Sequence, residues 1–145
     1  MTDWIHSLKD ISRDVDFFPA ATEEAIAAAR AVLGPLPPAL EGVLRVTNGL
    51  VCRSFRLLSV FDSAYPKKTW ESLQRANTAE KTDALGGSAA MLRRFLVIAN
   101  IGNGFAALEK ALPESVWYEE LDGPLLHATH LDLRAFIELM VEKAE

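Results

Sequence analysis

Apolar residues recur every three or four positions in two consecutive segments, a spacing that predicts a pair of amphipathic helices. Thr22 can cap the first helix, and Gly34 can end it in a left-handed conformation because glycine has no Cβ. Pro37 and Pro38 suit the first turn of the second helix, which Asn48-Gly49 ends. The apolar stripes of the two helices are Ala25, Ile26, Ala29, Val32 and Leu33, followed by Leu40, Val43, Leu44 and Thr47.

Helical spacing also predicts three further helices. In the helix predicted over Lys67–Asn77, Trp70 and Leu73 face inward. In the helix predicted over Asp132–Glu142, Asp132 favours the first turn and Thr129 can act as the cap. The three helices are Trp4–Ile11, Lys67–Asn77 and Asp132–Glu142. The first of them places Trp4, Ile5, Leu8 and Ile11 on one face.

The period changes to that of β-strands in the middle of the chain. Phe95–Ala99 is short, continuous and apolar, which is typical of a central strand. Asn103-Gly104 is the dipeptide most favoured in tight hairpins. Loops are predicted over Asp16–Pro19, Asp62–Pro66 and Thr78–Gly87, and Ser88 can cap one turn through Leu92. The predicted strands are Phe55–Phe61, Phe95–Ala99, Phe105–Leu108, Val116–Leu121 and Leu125–His127.

The order of these elements is helices first, then antiparallel strands, then a closing helix. Segregated elements of this kind indicate an α+β fold with a mostly antiparallel sheet, and no repeat or linker divides residues 1–145 into two domains. We expect one core, formed by Leu33, Leu40, Leu44, Leu57, Phe95, Val97, Val116, Phe136, Ile137 and Met140.

Several short motifs occur in a characteristic order along residues 21–141. The first half contains Glu23 and Glu24, Leu33-Gly34, Leu36-Pro37, Leu40 with Leu44, and Asn48-Gly49. The second half contains Phe95–Ala99, Gly102–Gly104, Val116–Glu120 and Ala128–Phe136. This order resembles the SUKH superfamily of cell-wall-assembly regulators and bacterial toxin-immunity proteins. The chain departs from the family pattern at Phe105–Ala111, which is more helix-prone than the strand that the resemblance implies.

The resemblance implies a binding function without catalysis. Bacterial members of the superfamily are mostly immunity proteins that neutralise a partner toxin, commonly a nuclease or another basic effector. The resemblance therefore implies a protein partner, no cofactor and no catalytic residue. The alternative is an intracellular scaffold or regulatory module that binds a protein of its own cell, as the cell-wall regulators do.

Composition and charge narrow the class of protein. Of 145 residues, 50% are hydrophobic and 24% are charged, which excludes a disordered chain. No apolar run approaches the roughly 20 residues that cross a bilayer, and Met1–Trp4 lacks the features of a signal peptide, so we expect a cytoplasmic protein without a membrane partner. The net charge of −5 disfavours nucleic acid as a partner and suits a basic protein.

The residues that could carry catalysis or bind metal lack the necessary neighbours. Cys52 has no nucleophile motif around it, so a small buried residue is expected there. His127 and His130 have no further ligand at zinc spacing, and Gly102–Gly104 lacks the Lys-Ser/Thr of a phosphate loop. We therefore predict a protein that is not an enzyme and holds no metal. The paired basic residues indicate a solvated face; they are Arg53, Arg56, Lys67, Lys68, Arg93 and Arg94.

A protein-binding surface is expected where acidic and aromatic side chains lie together. Acidic residues crowd the end of the strand that begins at Val116, and the strand at Phe55 leads into an aromatic loop and helix. The predicted binding residues are Asp62, Tyr65, Trp70, Trp117, Glu119, Glu120 and Asp122. The competing interpretation is that the acids only protect a sheet edge and that Trp70 and Trp117 belong to the core.

Overall fold

The computed structural model is an α+β structure whose helices lie before, between and after the strands of an antiparallel sheet. It describes residues 3–78, 93–102, 104–111, 115–119 and 127–144. Within these ranges the helices are α1 (Asp3–His6), α2 (Leu8–Ile11), α3 (Glu23–Leu33), α4 (Pro38–Leu44), α5 (Leu73–Ala76) and α6 (Leu133–Lys143). The strands are β1 (Val15–Phe17), β2 (Leu50–Cys52), β3 (Phe55–Leu57), β4 (Phe95–Ile101), β5 (Gly104–Glu109), β6 (Val116–Glu119) and β7 (His127–Ala128).

The described strands form one sheet whose spatial order, β1 to β7, follows the chain, with every neighbouring pair antiparallel. The predicted central strand is confirmed, since β4 lies between β3 and β5. The helix-prone segment beginning at Phe105 is also a strand. It pairs with a neighbour on each side and buries Phe105 through Leu108, so sheet pairing outweighs its local helix propensity.

Two strands of three residues each, β1 and β2, were not predicted. β1 overlaps the segment that was expected to be a loop, and β2 follows Gly49 directly. A tight turn joins β2 to β3, with Arg53 in a left-handed conformation at φ 53°. Cys52 is fully buried in β2, as expected for a small apolar residue.

The helix pair α3 and α4 begins at the predicted signals, but α4 ends at Leu44, so Thr47 and Asn48 of the predicted second helix lie outside it. Thr22 Oγ1 accepts a hydrogen bond of 3.0 Å from the backbone N of Ala25, and Gly34 ends α3 at φ 83°. One position of the predicted stripe is wrong, since Val32 points into solvent with 69% of its surface exposed. The N-terminal helix is likewise divided into α1 and α2, and Ile11 is exposed instead of facing inward.

The fifth and sixth helices differ from prediction at their N-termini. α5 begins at Leu73, six residues later than expected, and Trp70 lies outside it with its side chain exposed, so its predicted inward orientation is wrong. Asp132 caps α6 by accepting a hydrogen bond of 2.8 Å from Ala135 N. The hydroxyl of Thr129, the expected cap, instead donates to Val116 O at 2.7 Å.

The predicted core is largely confirmed. Seven of its ten members are fully buried in one cluster: Leu40, Leu44, Leu57, Val97, Val116, Phe136 and Ile137. Leu33 and Met140 are half-buried against that cluster. Phe95 is buried outside it, with its ring 5.3 Å from that of Trp117. The predictions for residues 79–92 lie outside the described residues, as does Asn103 of the predicted hairpin turn.

A buried polar junction follows α4. The backbone N of Asn48 donates to Pro19 O at 3.0 Å, and the Thr47 hydroxyl accepts from Phe18 N at 2.9 Å. The next residue, Gly49, has φ 89°, and a Cβ there would lie 2.6 Å from Ser59 Oγ and 2.7 Å from Leu57 O. The junction therefore requires glycine both for its backbone conformation and for the space beside the third strand.

Replacing Gly49 should unfold the protein more easily. We expect Gly49→Ala to lower the free energy of unfolding by roughly 2–4 kcal/mol, since it adds left-handed strain to a steric clash. The matched control is Gly42→Ala within α4, where a Cβ meets nothing within 4 Å and the helix gains roughly 0.5–1 kcal/mol. Urea denaturation of both variants measures the difference, and equal midpoints would contradict this account.

An ion-pair network joins α3 to α4. Arg30 and Arg45 both contact the carboxylate of Glu41, whose side chain is only 10% exposed, and Arg45 also pairs with Glu23 at 2.9 Å. The hydrogen bond from Arg30 holds the pKa of Glu41 below its ordinary value, and that from Arg45 does the same for the pKa of Glu23. The network contributes to the contact between the two helices while these carboxylates are ionised.

Stability should therefore fall in acid partly through Glu41. Because its folded pKa lies below the ordinary value of 4.5, its contribution is complete above that pH and is lost as the pH falls through the folded pKa. Between about pH 6 and about pH 3, the melting temperature of the wild type should fall further than that of Glu41→Gln. Glu142→Gln, at an exposed site on α6, is the control and should follow the wild type. Parallel curves for the wild type and Glu41→Gln would contradict the prediction.

Candidate functional site

Three exposed aromatic side chains lie on one connection between β3 and α5. Phe61, Tyr65 and Trp70 are 38%, 44% and 56% exposed. Among the described residues, the other exposed large hydrophobic side chains, Ile11 and Val32, lie on helices elsewhere. We call the connection Val60–Ser72 the aromatic loop. Exposed aromatic residues grouped in this way are typical of surfaces that bind another protein.

The aromatic loop is fixed internally by Thr69. The Thr69 hydroxyl accepts a hydrogen bond of 2.9 Å from Asp62 N and donates one of 2.8 Å to Tyr65 O. Tyr65 N in turn donates to Asp62 O at 3.0 Å. Since these bonds join the backbone at three points, the exposed rings project from an ordered turn.

The two ends of the aromatic loop are also held together. Ser59 forms a parallel β-bridge with Ser72, in which Leu73 N donates to Ser59 O at 2.7 Å. Phe61 N donates to the side chain of Gln74 at 3.2 Å, and Ser72 Oγ caps α5. The loop is therefore anchored on the sheet and on the helix that follows it.

Trp70 lies beside an arginine. The guanidinium carbon of Arg75 is 4.6 Å from the centre of the Trp70 ring, within the range of a cation–π contact. Glu71 forms an ion pair with the same arginine at 3.7 Å. Phe61, Trp70 and Arg75 line one open concavity of about 390 Å³ with Ser72 and Gln74.

Phe61 also borders a second concavity, on the side of the loop that faces α3. This concavity has a volume of about 290 Å³ and is lined by Thr22, Glu24, Ala25, Ala28, Phe61, Asp62 and Ser63. Asp62 is only 8% exposed, and its Oδ1 accepts a hydrogen bond of 2.9 Å from Ala64 N. Phe61 thus separates a concavity containing tryptophan and arginine from one containing carboxylates.

The predicted binding residues fall into two sets. Asp62, Tyr65 and Trp70 lie together in the aromatic loop. Trp117 lies in β6, which is three strands from β3. At the usual strand spacing, β6 and β3 are roughly 14 Å apart. Trp117 is half-buried, with the guanidinium of Arg94 5.6 Å from its ring.

The remaining predicted acids belong to the second set. Glu119 is the last residue of β6 and pairs with Phe105 of β5. Glu120 and Asp122 lie outside the described residues.

Phe61 in the aromatic loop and Arg75 in α5 were not predicted as binding residues. Phe61 was placed at the end of a strand, whereas β3 ends at Leu57 and Phe61 is exposed. Arg75 was placed within a helix without a role. The signal available in the sequence was the composition of the segment from Phe61 to Trp70, in which three aromatic residues are interrupted by proline and lysines.

The candidate metal and catalytic residues form no site among the described parts of the chain. No group of three or more His, Cys, Asp or Glu side chains in the described ranges is placed to hold a metal ion. His130 is exposed at φ 61°, before α6. The side chain of His127 is not among those described.

The sequence matches no model of a known protein family and none of the curated proteins. Within the described ranges, no helix is long and apolar enough to cross a membrane.

Exposure of Trp70 predicts that it contributes little to folding. We expect Trp70→Ala to change the free energy of unfolding by less than about 1 kcal/mol, whereas Phe136→Ala should lower it by about 3–5 kcal/mol. The Phe136 ring is fully buried against Phe55, with the ring centres 6.3 Å apart. Chemical denaturation distinguishes the two. A large loss of stability in Trp70→Ala would assign that side chain to the core.

Proposed function

We propose that this chain is a non-enzymatic protein-binding domain that contacts its partner through the aromatic loop. The observation that supports this proposal is the exposure of Phe61, Tyr65 and Trp70 on a turn that hydrogen bonds hold in place. Tryptophan, tyrosine and arginine are the residues most enriched at binding hot spots, and Arg75 stacks on Trp70 here.

The free energy of burying the exposed aromatic rings limits the affinity that the aromatic loop can supply by itself. Burying the exposed parts of the three aromatic rings would remove roughly 250–300 Å² from water, about 6–7 kcal/mol before the costs of association. A micromolar complex needs about 8 kcal/mol net of those costs. The aromatic loop would therefore act as an anchor, and a tight complex would require polar or charged contacts around it.

We further propose that the partner is a bacterial toxin domain and that this chain neutralises it as an immunity protein. The resemblance of residues 21–141 to the SUKH superfamily and the net charge of −5 support this proposal. Complementary charge speeds the association of an acidic inhibitor with a basic effector and helps to select that effector. Blocking a toxin by occupying its surface requires neither a cofactor nor a catalytic residue in the inhibitor.

The test is titration of the purified chain against the product of the neighbouring gene, with toxin activity measured in parallel. Trp70→Ala should weaken binding at least about 30-fold, as hot-spot residues do, and should reduce inhibition to match. Val32→Ala removes a side chain of similar exposure from α3 and should bind like the wild type. Unchanged affinity in both Trp70→Ala and Phe61→Ala would rule out the aromatic loop as the interface.

The acidic end of β6 has its own test. A folded triple variant, Glu119→Lys with Glu120→Lys and Asp122→Lys, should bind more slowly and with weaker salt dependence if those residues belong to the interface.

Binding of the wild-type chain without inhibition, or to a defined regulator of its own cell instead of the neighbouring product, would contradict the immunity function and favour the scaffold alternative.

A further inference from the structure

The concavity that Trp70 lines offers hydrogen-bond donors to a partner. Gln74 is half-buried, its Oε1 accepts a hydrogen bond of 3.2 Å from Phe61 N, and no described residue accepts one from its Nε2. The Arg75 side chain is 36% exposed, and its guanidinium donates no hydrogen bond to the described residues. The Oγ of Ser72, which also lines the concavity, accepts from Arg75 N. The side-chain groups left available here are therefore donors.

The guanidinium of Arg75 is available although Glu71 lies beside it. The two side chains are 3.7 Å apart, which is longer than a hydrogen bond, and both are partly exposed, so the pair is weak. An arginine has five N–H donors and can pair with two carboxylates at once. Arg45 of this chain does so, with Glu23 at 2.9 Å and Glu41 at 3.2 Å. Arg75 therefore has donors left for a second carboxylate.

The aromatic rings hold these donors beside apolar surface. The guanidinium carbon of Arg75 lies 4.6 Å from the centre of the Trp70 ring. Stacking of this kind leaves the N–H groups at the edge of the guanidinium free to donate to a planar acceptor. Phe61 and Trp70, which are 38% and 56% exposed, line the same concavity. A side chain with a short aliphatic stem and an acceptor at its end would contact both the rings and the donors.

The charge of the lining decides which acceptor fits. Among the described residues of the lining, Arg75 is the one cation and there is no carboxylate, so the lining favours an anion. A phosphate group carries nearly two negative charges and is typically bound by several cations, whereas Arg75 shares its charge with Glu71. A carboxylate carries one charge and matches the planar guanidinium. We infer that this concavity receives a carboxylate side chain of the protein partner, with Arg75 as its donor.

This inference rests on the proposed function and adds the partner's chemistry at one contact. The aromatic rings bury apolar surface of the partner, and Arg75 pairs with a carboxylate of the same partner beside them. The net charges of the two proteins steer their encounter over roughly 10 Å, whereas this pair acts at hydrogen-bond distance and fixes the register of the complex. One acidic residue at this contact is therefore compatible with a partner that is basic overall.

The experiment uses short peptides, so it does not depend on knowing the partner. Acetyl-Leu-Glu-Leu-amide is titrated into the folded chain at constant ionic strength, with acetyl-Leu-Gln-Leu-amide and acetyl-Leu-Lys-Leu-amide as controls of similar size. NMR follows the side-chain N–H signals of Trp70, Gln74 and Arg75. The glutamate peptide should shift these signals in a saturable way and bind at least about threefold more tightly than the glutamine peptide. The lysine peptide should bind most weakly.

Variants assign this preference to one arginine. Arg75→Gln removes the charge, so the glutamate and glutamine peptides should bind it equally. The matched control is Arg134→Gln, since Arg134 also lies over a tryptophan, Trp4, at 5.7 Å and pairs with Glu138 four residues away. This control loses the same charge and should retain the preference. Glu71→Gln removes the competing carboxylate and should bind the glutamate peptide more tightly.

Four results would overturn the inference. They are equal affinity of the wild type for the glutamate and glutamine peptides, tighter binding of the lysine peptide, a preference for glutamate that survives in Arg75→Gln, and weaker binding of the glutamate peptide by Glu71→Gln. Melting temperatures confirm that each variant is folded, and the Glu71→Gln result decides the question if Arg75→Gln is not.

The two proposals can fail separately. Loss of partner binding in Trp70→Ala together with equal affinities for the glutamate and glutamine peptides would retain the aromatic anchor and reject the acidic contact. A preference for glutamate that depends on Arg75, together with full partner affinity in Trp70→Ala, would retain the carboxylate site and reject the aromatic loop as the anchor.

Discussion

The side chain of Asn48 links the end of α4 to the chain that leaves β3. Its Oδ1 accepts a hydrogen bond of 2.8 Å from Val60 N, and its Nδ2 donates one of 2.9 Å to Val60 O, so one amide pairs with the backbone as a neighbouring strand would. Its own carbonyl accepts from Ser59 Oγ at 2.6 Å. All of these groups are buried, and leaving any of them unpaired would cost about 1–3 kcal/mol. The end of α4, the segment before α3 and the chain leaving β3 are therefore fixed relative to one another.

Asn77 pairs in the same way with the backbone of β4. β3 ends at Leu57, and the next residue still donates from Leu58 N to Ile98 O. Beyond that point Asn77 pairs with both backbone groups of Val97, at 2.7 and 2.9 Å, in place of a longer β3. The chain between Val60 and Asn77 is thus free to leave the sheet without exposing unpaired groups of β4. The side-chain amides of Asn48 and Asn77 thus form hydrogen bonds with the backbone of Val60 and Val97, next to the point where the aromatic loop leaves the sheet.

The sequence predicts the parts of this structure that depend on local pattern. The caps of α3, the prolines of α4 and the apolar run of β4 each follow from neighbouring residues, and the structure confirms them. The orientation of Trp70 does not follow, because its helical spacing with Leu73 is equally compatible with a turn whose geometry Thr69 and Asp62 set. Nor could the burial of Asp62 be foreseen, since it depends on which distant groups pack around the loop.

The aromatic loop therefore combines a rigid backbone with side chains that the fold does not use. Thr69, Ser59 and Asn48 form hydrogen bonds with its backbone, whereas Phe61 and Trp70 remain exposed. Exposed aromatic surface disfavours the free chain, and a partner that supplied apolar surface would remove that cost. Because the backbone is ordered beforehand, little of that gain is lost to ordering the loop. This is the physical basis of the proposal that a partner binds at the aromatic loop.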